Sequence, residues 1–131
     1  MLFRSSLYGG GPFGSSHPDL TTVATLTAPI LQIRTVRPGE TIGYGATFTA
    51  DRPIRVGIIG IGYADGILRA LGPEGQAWFG GKPRKLVGRI SMDMMAMALD
   101  ETDTAQPGDW VELLGPHMTL DSVANASGTV A

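Results

Sequence analysis

Glycine and proline interrupt this sequence at short intervals along its whole length. The 131 residues include 19 glycines and 9 prolines, and few of the segments between them are long. Both residue types favour turns, and short apolar segments between turns are typical of strands. The sequence therefore predicts a mainly β domain with many turns, and it favours that architecture over a helical bundle.

The composition narrows the class of protein. A chain of this length forms one domain, and 43% apolar residues are enough for a hydrophobic core. The net charge is −2 and the basic residues are scattered, so we expect no nucleic-acid partner. The absence of cysteine excludes disulfides, thiolate zinc sites and cysteine nucleophiles. No apolar run is long enough to span a membrane and the first residues show no signal pattern, so we expect no membrane partner and a cytoplasmic location.

Short runs of β-branched and apolar residues indicate six or more strands. Thr119 is a candidate N-cap for a short helix that Gly128 follows, and residues 65–75 suit one further helical turn. The pattern predicts a mainly β, barrel-like or sandwich domain with one or two short helices. The predicted strands cover residues 21–37, 45–50, 54–61, 77–92 with a Gly-Gly turn inside, 92–100 and 108–115.

Some of these segments carry more specific expectations. Residues 45–50 and 54–61 are expected to pair across the sequence DRP, and the second is apolar enough to be buried on both faces. Pro29, inside the first strand, indicates an edge position or a bulge. Residues 1–20 are rich in Gly, Ser and Pro, so we expect a leading loop segment before a β domain over residues 21–131.

Familiar hydrolytic and metal-binding patterns are missing from the sequence. His17 and His117 both adjoin proline in predicted loops, and no GxSxG motif accompanies them. His17 and Asp19 are too few to hold a metal ion, so we expect no metal site. The acidic run LDETD, residues 99–103, is interpreted as a solvated turn.

Two tyrosines directly follow a glycine in similar motifs. Tyr44 lies between Gly43 and Gly45, which leave room for backbone or a ligand to come close. A phenol has a reference pKa of about 10 and is a poor base unless its surroundings are positively charged. From these residues alone, a proton-transfer role and a packed strand tyrosine both stay open for Tyr44. The same holds for Tyr63, although the Asp-Gly turn that follows it favours a structural role.

The methionine-rich run MDMMAM, residues 92–97, is most simply core, because methionine fills irregular gaps. Strand alternation would send Met92 and Asp93 to opposite faces. A buried Asp93 needs a partner, and Arg89 or Arg69 is expected to form a structural ion pair with it.

Four motifs in series resemble the C-terminal domain of alanine racemase. Each motif is short, but their order and spacing match across roughly residues 7–129, which makes the resemblance specific. The sequence LYGGGPFG, residues 7–14, resembles the family's exit from its N-terminal barrel. The four motifs are GYGATFTA (43–50), RVGIIGIGYADGILRALG (55–72), GKPRKLVGRISMD (81–93) and PGDWVELLG (107–115).

The resemblance implies an activity, a cofactor and a partner. Members of that family use pyridoxal 5′-phosphate to interconvert L- and D-alanine, which supplies D-alanine for peptidoglycan precursors. Their N-terminal TIM barrel carries the Schiff-base lysine and most phosphate contacts, and their C-terminal domain is mostly β. The enzyme is a head-to-tail homodimer in which each active site combines one subunit's barrel with the other subunit's C-terminal domain.

The resemblance also assigns roles to individual residues. Tyr44 matches the second catalytic base, which removes or returns the α-proton on the L-alanine face, opposite the lysine. Met92 matches the residue whose backbone N–H binds the substrate carboxylate. The residues that resemble the substrate entryway and its support are Tyr63, Arg69, Arg89 and Asp93.

The sequence departs from the family pattern in three ways. No TIM barrel precedes residue 1, the lysines Lys82 and Lys85 do not match the Schiff-base lysine, and the family continues beyond GTVA. We therefore expect a β domain that is incomplete at its C-terminal end, holds no cofactor-binding residue and is inactive alone. Two alternatives stay open, a non-catalytic β domain for dimerisation or ligand binding, and a racemase for serine or another small amino acid.

Overall fold

Six antiparallel strands close into a barrel, which confirms the prediction of a mainly β, barrel-like fold. The structure is a computed structural model and describes residues 8–10, 21–72 and 74–129. Around the barrel the strand order is β1-β4-β7-β6-β5-β8, and β2 and β3 form a separate two-stranded sheet. The strands are β1 (Leu26–Val36), β2 (Thr41–Ile42), β3 (Phe48–Thr49), β4 (Ile54–Ile59), β5 (Gln76–Phe79), β6 (Lys82–Val87), β7 (Met95–Leu99) and β8 (Trp110–Leu114).

The barrel interior is filled by apolar side chains, and each of the six strands contributes to it. Successive side chains of a strand point to opposite faces, so each strand sends every second residue inward. Burying one such side chain stabilises the fold by about 1.5–3 kcal/mol. The buried residues that represent the six strands in this core are Ile30, Ile59, Ala77, Leu86, Met97 and Val111.

The β2–β3 hairpin covers part of the outer surface of the barrel and builds a second apolar cluster there. Ile42 and Ala50 from the hairpin region pack with Val56 of β4 and Ala96 of β7. Both faces of β4 and β7 are therefore covered, which explains their nearly continuous apolar sequences. The predicted alternation holds within β7, because Met97 enters the barrel core and Ala96 enters the cluster beneath the hairpin.

The predicted pairing of residues 45–50 with 54–61 is wrong. Phe48 pairs back with Ile42 inside the small hairpin, and β4 pairs with β1 and β7 instead. The reason is local, because residues 43–46 form a tight turn in which Gly43, Gly45 and Ala46 all have positive φ. The turn returns the chain onto β2 before it reaches the DRP segment.

Strand boundaries differ from the predicted ones at two further places. The first strand begins at Leu26 rather than residue 21, where pairing with Leu114 of β8 starts. A register shift follows Ile30, which fits the bulge predicted at Pro29. The predicted edge position does not occur, because β1 pairs with both β4 and β8 in the closed barrel. Residues 92–94, predicted as strand, form a turn that precedes β7.

Helical structure is short, as predicted. Two 3₁₀ helices cover Tyr63–Asp65 and Arg69–Leu71, and α1 covers Leu120–Ala126. Thr119 is the N-cap of α1, since its side-chain oxygen accepts a hydrogen bond from the Ser122 N–H at 3.3 Å. Among the described residues, no helix has the length and apolar character needed to cross a membrane.

The leading segment predicted for residues 1–20 lies outside the described residues except for 8–10. His17 and Asp19, considered above as metal ligands, lie outside them too. Nothing in the fold therefore tests the boundary proposed at residue 20.

The acidic run 99–103 is more than a solvated turn. The Asp103 side chain is 8% exposed and forms an ion pair with Arg84 of β6, which is buried. The Arg84 guanidinium contacts Asp100 as well, and Lys82 reaches the same Asp100 carboxylate. This cluster could not be predicted from the sequence pattern, because Arg84 lies between the exposed residues Pro83 and Lys85.

Candidate active-site face

One end of the barrel gathers the residues that the sequence singled out. The segment after β4 (60–75), the segment between β6 and β7 (88–94) and the tip of the β2–β3 hairpin (43–47) meet at this end. The pairing register explains this, because the end of β4 and the end of β6 both lie beside the start of β7. We call this end of the barrel the tyrosine face.

Tyr44 lies at the tip of the hairpin and is 66% exposed, so it is not a packed strand tyrosine. Its turn is closed by a hydrogen bond from the Ala46 N–H to the Gly43 carbonyl oxygen at 3.2 Å. A Cβ on Gly45 would lie 3.7 Å from Nη1 of Arg89, which places the guanidinium directly beside the tyrosine turn. The arrangement presents a phenol to solvent with a positive charge near its backbone.

Tyr63 and Arg69 lie together on the same face. The guanidinium carbon of Arg69 lies 5.4 Å from the centre of the Tyr63 ring, a cation–π distance. The Tyr63 N–H donates to the Ser91 carbonyl oxygen at 3.0 Å, and the Ala64 N–H donates to the Met92 carbonyl oxygen at 3.0 Å. Tyr63 is therefore fixed against the 88–94 segment rather than free on a loop.

Met92 lies in a tight turn and is 56% exposed, so the expectation that it fills the core is wrong. The turn is held by Ser91, whose N–H and hydroxyl both donate to the Met94 carbonyl oxygen, at 2.9 and 2.8 Å. The Met92 N–H has no hydrogen-bond acceptor among residues 8–10, 21–72 and 74–129. The turn therefore carries a backbone donor that no described residue accepts from, in the segment that contacts Tyr63.

The expected ion pair of Asp93 with Arg89 or Arg69 is wrong. Asp93 is exposed, and within the described part of the chain its carboxylate makes no salt bridge. Its strand-like neighbours suggested burial, but β7 begins only at Met95. In the turn that precedes β7 the Asp93 side chain faces water and needs no partner.

Large apolar side chains are concentrated on the tyrosine face. Leu68 and Met94 are exposed there together with the two tyrosines and Met92. Large apolar side chains exposed together at one end of a domain are typical of an interaction site. Leu68 lies within the motif at residues 55–72, and Met94 directly follows the motif at residues 81–93.

His117 lies away from this face, in a structural cluster. Its ring stacks on Trp78 with centroids 4.4 Å apart, and its Nδ1 lies 2.9 Å from Oε2 of Glu112. Burial alone would raise the pKa of the Glu112 carboxyl, but hydrogen bonds from the His117 ring and from the N–H groups of Met118 and His117 lower that pKa below its ordinary value. Over the described residues, no three His, Asp or Glu side chains are placed to hold a metal ion.

The described residues form a closed antiparallel barrel domain with an exposed tyrosine and several exposed apolar side chains at one end. The family profile described as "Alanine racemase, C-terminal domain" matches residues 23–131. The chain belongs to the alanine racemase C-terminal domain family.

Individual relatives agree with this assignment. The chain is 47% identical over 124 residues to the alanine racemase of Jannaschia sp. strain CCS1, a match that covers 95% of this chain and 34% of that protein. It is 40% identical over 129 residues to the catabolic alanine racemase of Agrobacterium fabrum, covering 96% of this chain and 33% of that protein. The chain thus spans about a third of the length of the relatives it matches.

Solved structures show the same fold. The crystal structure of alanine racemase from Bartonella henselae with covalently bound pyridoxal phosphate superposes with a TM-score of 0.87 and 40% identity, over 95% of this chain and 35% of that one. Alanine racemase from Acinetobacter baumannii gives a TM-score of 0.86 at 40% identity, over 95% and 36% of the two chains. The similarity therefore extends over nearly the whole barrel domain.

The residues of this chain fit only part of a pyridoxal phosphate site. Lys82 is engaged by Asp100, away from Tyr44, and Lys85 lies on the outer surface of β6. Lys82 lies at the start of β6, at the opposite end of the barrel from the tyrosine face. The described residues present Tyr44 and the Met92 N–H on the tyrosine face, and they do not fit the task of holding the cofactor.

Proposed function

We propose that this chain is the C-terminal part of a pyridoxal phosphate-dependent racemase that interconverts L- and D-alanine, and that it contributes Tyr44 as one of the two proton-transfer groups. The observation that carries the proposal is the exposed Tyr44 phenol on the tyrosine face, in a chain of the alanine racemase family. A racemase needs one group on each side of the α-carbon, because the proton leaves from one side and returns on the other.

The position of Tyr44 suits a group that acts on a molecule outside its own domain. Its turn projects it from the barrel, and the Arg89 guanidinium lies beside that turn. Tyr44 would accept the α-proton of L-alanine as a phenolate and would donate a proton to the same face in the reverse direction. Bound pyridoxal phosphate supplies the electron withdrawal that makes the α-proton acidic.

The Met92 turn suits the substrate carboxylate. Its backbone N–H has no acceptor among the described residues, and the position of this donor does not depend on the methionine side chain. The guanidinium groups of Arg69 and Arg89 lie on the same face and would attract an amino-acid carboxylate towards it. Tyr63, held over the 88–94 segment, would border the path that the substrate takes.

The exposed apolar surface of the tyrosine face suggests how the site is completed. Leu68, Met92 and Met94 would be covered by the cofactor-holding domain of a second subunit, in a homodimer whose sites are shared. The cofactor-binding lysine would come from that domain and would act on the opposite side of the α-carbon. We accordingly expect no racemisation by residues 1–131 alone, and a cytoplasmic setting for the whole enzyme.

The test is a tyrosine substitution in the intact protein that contains this chain. Tyr44→Phe should lower kcat for racemisation by about 10²- to 10⁴-fold, the range that a general acid–base group contributes, with little change in KM. The matched control is Tyr63→Phe, which keeps the ring under Arg69 and should retain kcat within about tenfold. Racemisation is followed by conversion of D-alanine with a D-amino-acid oxidase in a coupled assay.

Unchanged kcat in Tyr44→Phe, in a folded and cofactor-loaded protein, would overturn the assignment and favour a non-catalytic role for this domain. Comparison of L-alanine with L-serine as substrates, by kcat/KM, decides between an alanine racemase and a racemase for another small amino acid.

A further inference from the structure

Two glycines bring the tyrosine turn and the 88–94 segment into direct backbone contact. A Cβ placed on Gly43 would lie 2.6 Å from the Arg89 nitrogen and 3.0 Å from the Cα of Gly88. A Cβ placed on Gly88 would lie 2.6 Å from the Ile42 carbonyl oxygen and 3.0 Å from the Cα of Gly43. The backbone at residues 42–43 therefore crosses the backbone at residues 88–89 with no side chain between them. Only glycine fits at positions 43 and 88. We call this contact the glycine crossing.

The base of the hairpin is held by the apolar packing of Ile42 and Ala50, and its tip contacts the barrel at the glycine crossing. The β2–β3 hairpin has only two residue pairs, Thr41 with Thr49 and Ile42 with Phe48. A hairpin this short is marginal by itself and depends on packing against a neighbour. The crossing lies at Gly43, directly before Tyr44, so it is the contact that fixes where the phenol projects.

The 88–94 segment makes a second close backbone contact near Met92. A Cβ on Gly62 would lie 2.3 Å from the Met92 carbonyl oxygen, so a second close backbone contact holds the Met92 turn. Hydrogen bonds from the Tyr63 and Ala64 N–H groups to this turn accompany it. The 88–94 segment is therefore a rigid link, with Tyr44 set at one end and the Met92 N–H at the other.

We propose that Gly88 is a positioning residue for Tyr44, one that touches no substrate and sets the distance between the tyrosine and the bound α-carbon. The inference rests on the proposed function, in which Tyr44 moves the α-proton and Met92 binds the carboxylate. An alanine at position 88 would place its Cβ 2.6 Å from the Ile42 carbonyl oxygen, whereas an ordinary contact begins at about 3.4 Å. The hairpin tip therefore has to move away from residue 88. Misplacement of a reacting group by about 1 Å costs on the order of 10²-fold in rate.

The experiment compares Gly88→Ala with Gly81→Ala in the intact, cofactor-loaded protein. Both glycines have positive φ, +74° and +81°, so both alanines carry similar backbone strain. Around Gly81 a Cβ would meet nothing within 4 Å, so that variant carries the strain without the crossing. The variants are incubated with D-alanine in deuterium oxide, and inversion to L-alanine and deuterium incorporation into D-alanine are measured separately.

We expect Gly88→Ala to lower inversion by about 10²-fold while exchange into D-alanine continues, because exchange on the D face does not use Tyr44. Hydrogen–deuterium exchange of backbone amides should rise in the peptide that covers Thr41–Thr49. Gly81→Ala should show neither change. If Gly88→Ala does not fold, as judged by thermal melting, Gly43→Ala replaces it, since it meets the same crossing from the other side.

Four results would be decisive against the inference. One is an equal effect of Gly88→Ala and Gly81→Ala on inversion, and another is a parallel fall of inversion and D-face exchange in Gly88→Ala. A Tyr44→Phe variant that keeps full inversion would remove the proposed function itself and the inference with it. Loss of inversion in Tyr44→Phe together with normal inversion in Gly88→Ala would refute the role of Gly88 alone.

Discussion

The buried ion pair between Arg84 and Asp103 makes the sharpest stability prediction. The Arg84 side chain is 5% exposed and the Asp103 side chain 8%, and the pair ties β6 to the connection between β7 and β8. Arg84→Met removes the positive charge with little change in volume and leaves the Asp103 carboxylate buried beside an apolar chain. Loss of one partner from a buried pair costs about 3–5 kcal/mol.

The expected loss of unfolding free energy can be converted to a change in melting temperature. An unfolding entropy of about 2.1 cal/mol/K per residue gives about 275 cal/mol/K for 131 residues. A loss of 3–5 kcal/mol then lowers Tm by about 11–18 °C. Calorimetry and urea unfolding of the Arg84→Met chain measure the two quantities independently.

Lys82→Met is the matched control, because Lys82 pairs with Asp100 where both side chains are about half exposed. An exposed pair contributes about 0–1 kcal/mol, so Tm should fall by no more than about 4 °C. The double variant Arg84→Met/Asp103→Asn should cost less than the sum of its single substitutions, since no charge is then left without its partner. A Tm for Arg84→Met within 4 °C of that for Lys82→Met would refute the reasoning.

Two further predictions concern the pH dependence and the core. The hydrogen-bonded Glu112 carboxyl has a pKa below its reference value of 4.5, so its contribution to stability is present above pH 4.5 and is lost as the pH falls through the folded-state pKa. The difference in unfolding free energy between the natural chain and Glu112→Gln should therefore shrink in urea titrations below pH 4.5, and a constant difference from pH 7 to about pH 3 would contradict the account. Met97→Ala, at a residue that is 0% exposed, should cost about 2–5 kcal/mol in urea unfolding, against less than about 0.5 kcal/mol for Met92→Ala on the surface. Equal costs for the two methionines would show that the barrel core tolerates the cavity.

Features with a local cause could be predicted from the sequence. Gly39 at +85° closes the turn at 37–40, the Gly80–Gly81 pair closes the β5–β6 hairpin, and Thr119 caps α1. Each depends on residues that are adjacent in the chain, where backbone preference decides the outcome. The mainly β class followed from the same kind of signal.

Features that depend on distant contacts were missed. The partner of β3 was predicted wrongly because short apolar runs carry no information about which strand they pair with. The burial of Asp103 depends on Arg84, 19 positions earlier, and an acidic run beside a turn gives no sign of it. The glycine crossing joins positions 43 and 88, and only the folded structure shows that two ordinary turn glycines touch.

The candidate site also contains features that were predicted from the sequence and features that were missed. Family resemblance singled out Tyr44, Met92, Tyr63, Arg69 and Arg89, and the fold brings the segments that carry them to one end of the barrel. Their chemical roles remain predictions. Residue pattern alone gave the wrong environment for Met92 and Asp93, because the strand was expected to begin three residues too early.

The most direct test of the central claim measures α-proton exchange on each face of alanine in the intact enzyme. Wild-type protein and Tyr44→Phe are incubated separately with L-alanine and with D-alanine in deuterium oxide, and the α-proton signal is followed by NMR. If Tyr44 is the proton-transfer group on the L face, Tyr44→Phe loses exchange of L-alanine by at least about 10²-fold and keeps exchange of D-alanine without inversion. Exchange of L-alanine at the wild-type rate in Tyr44→Phe would contradict the account.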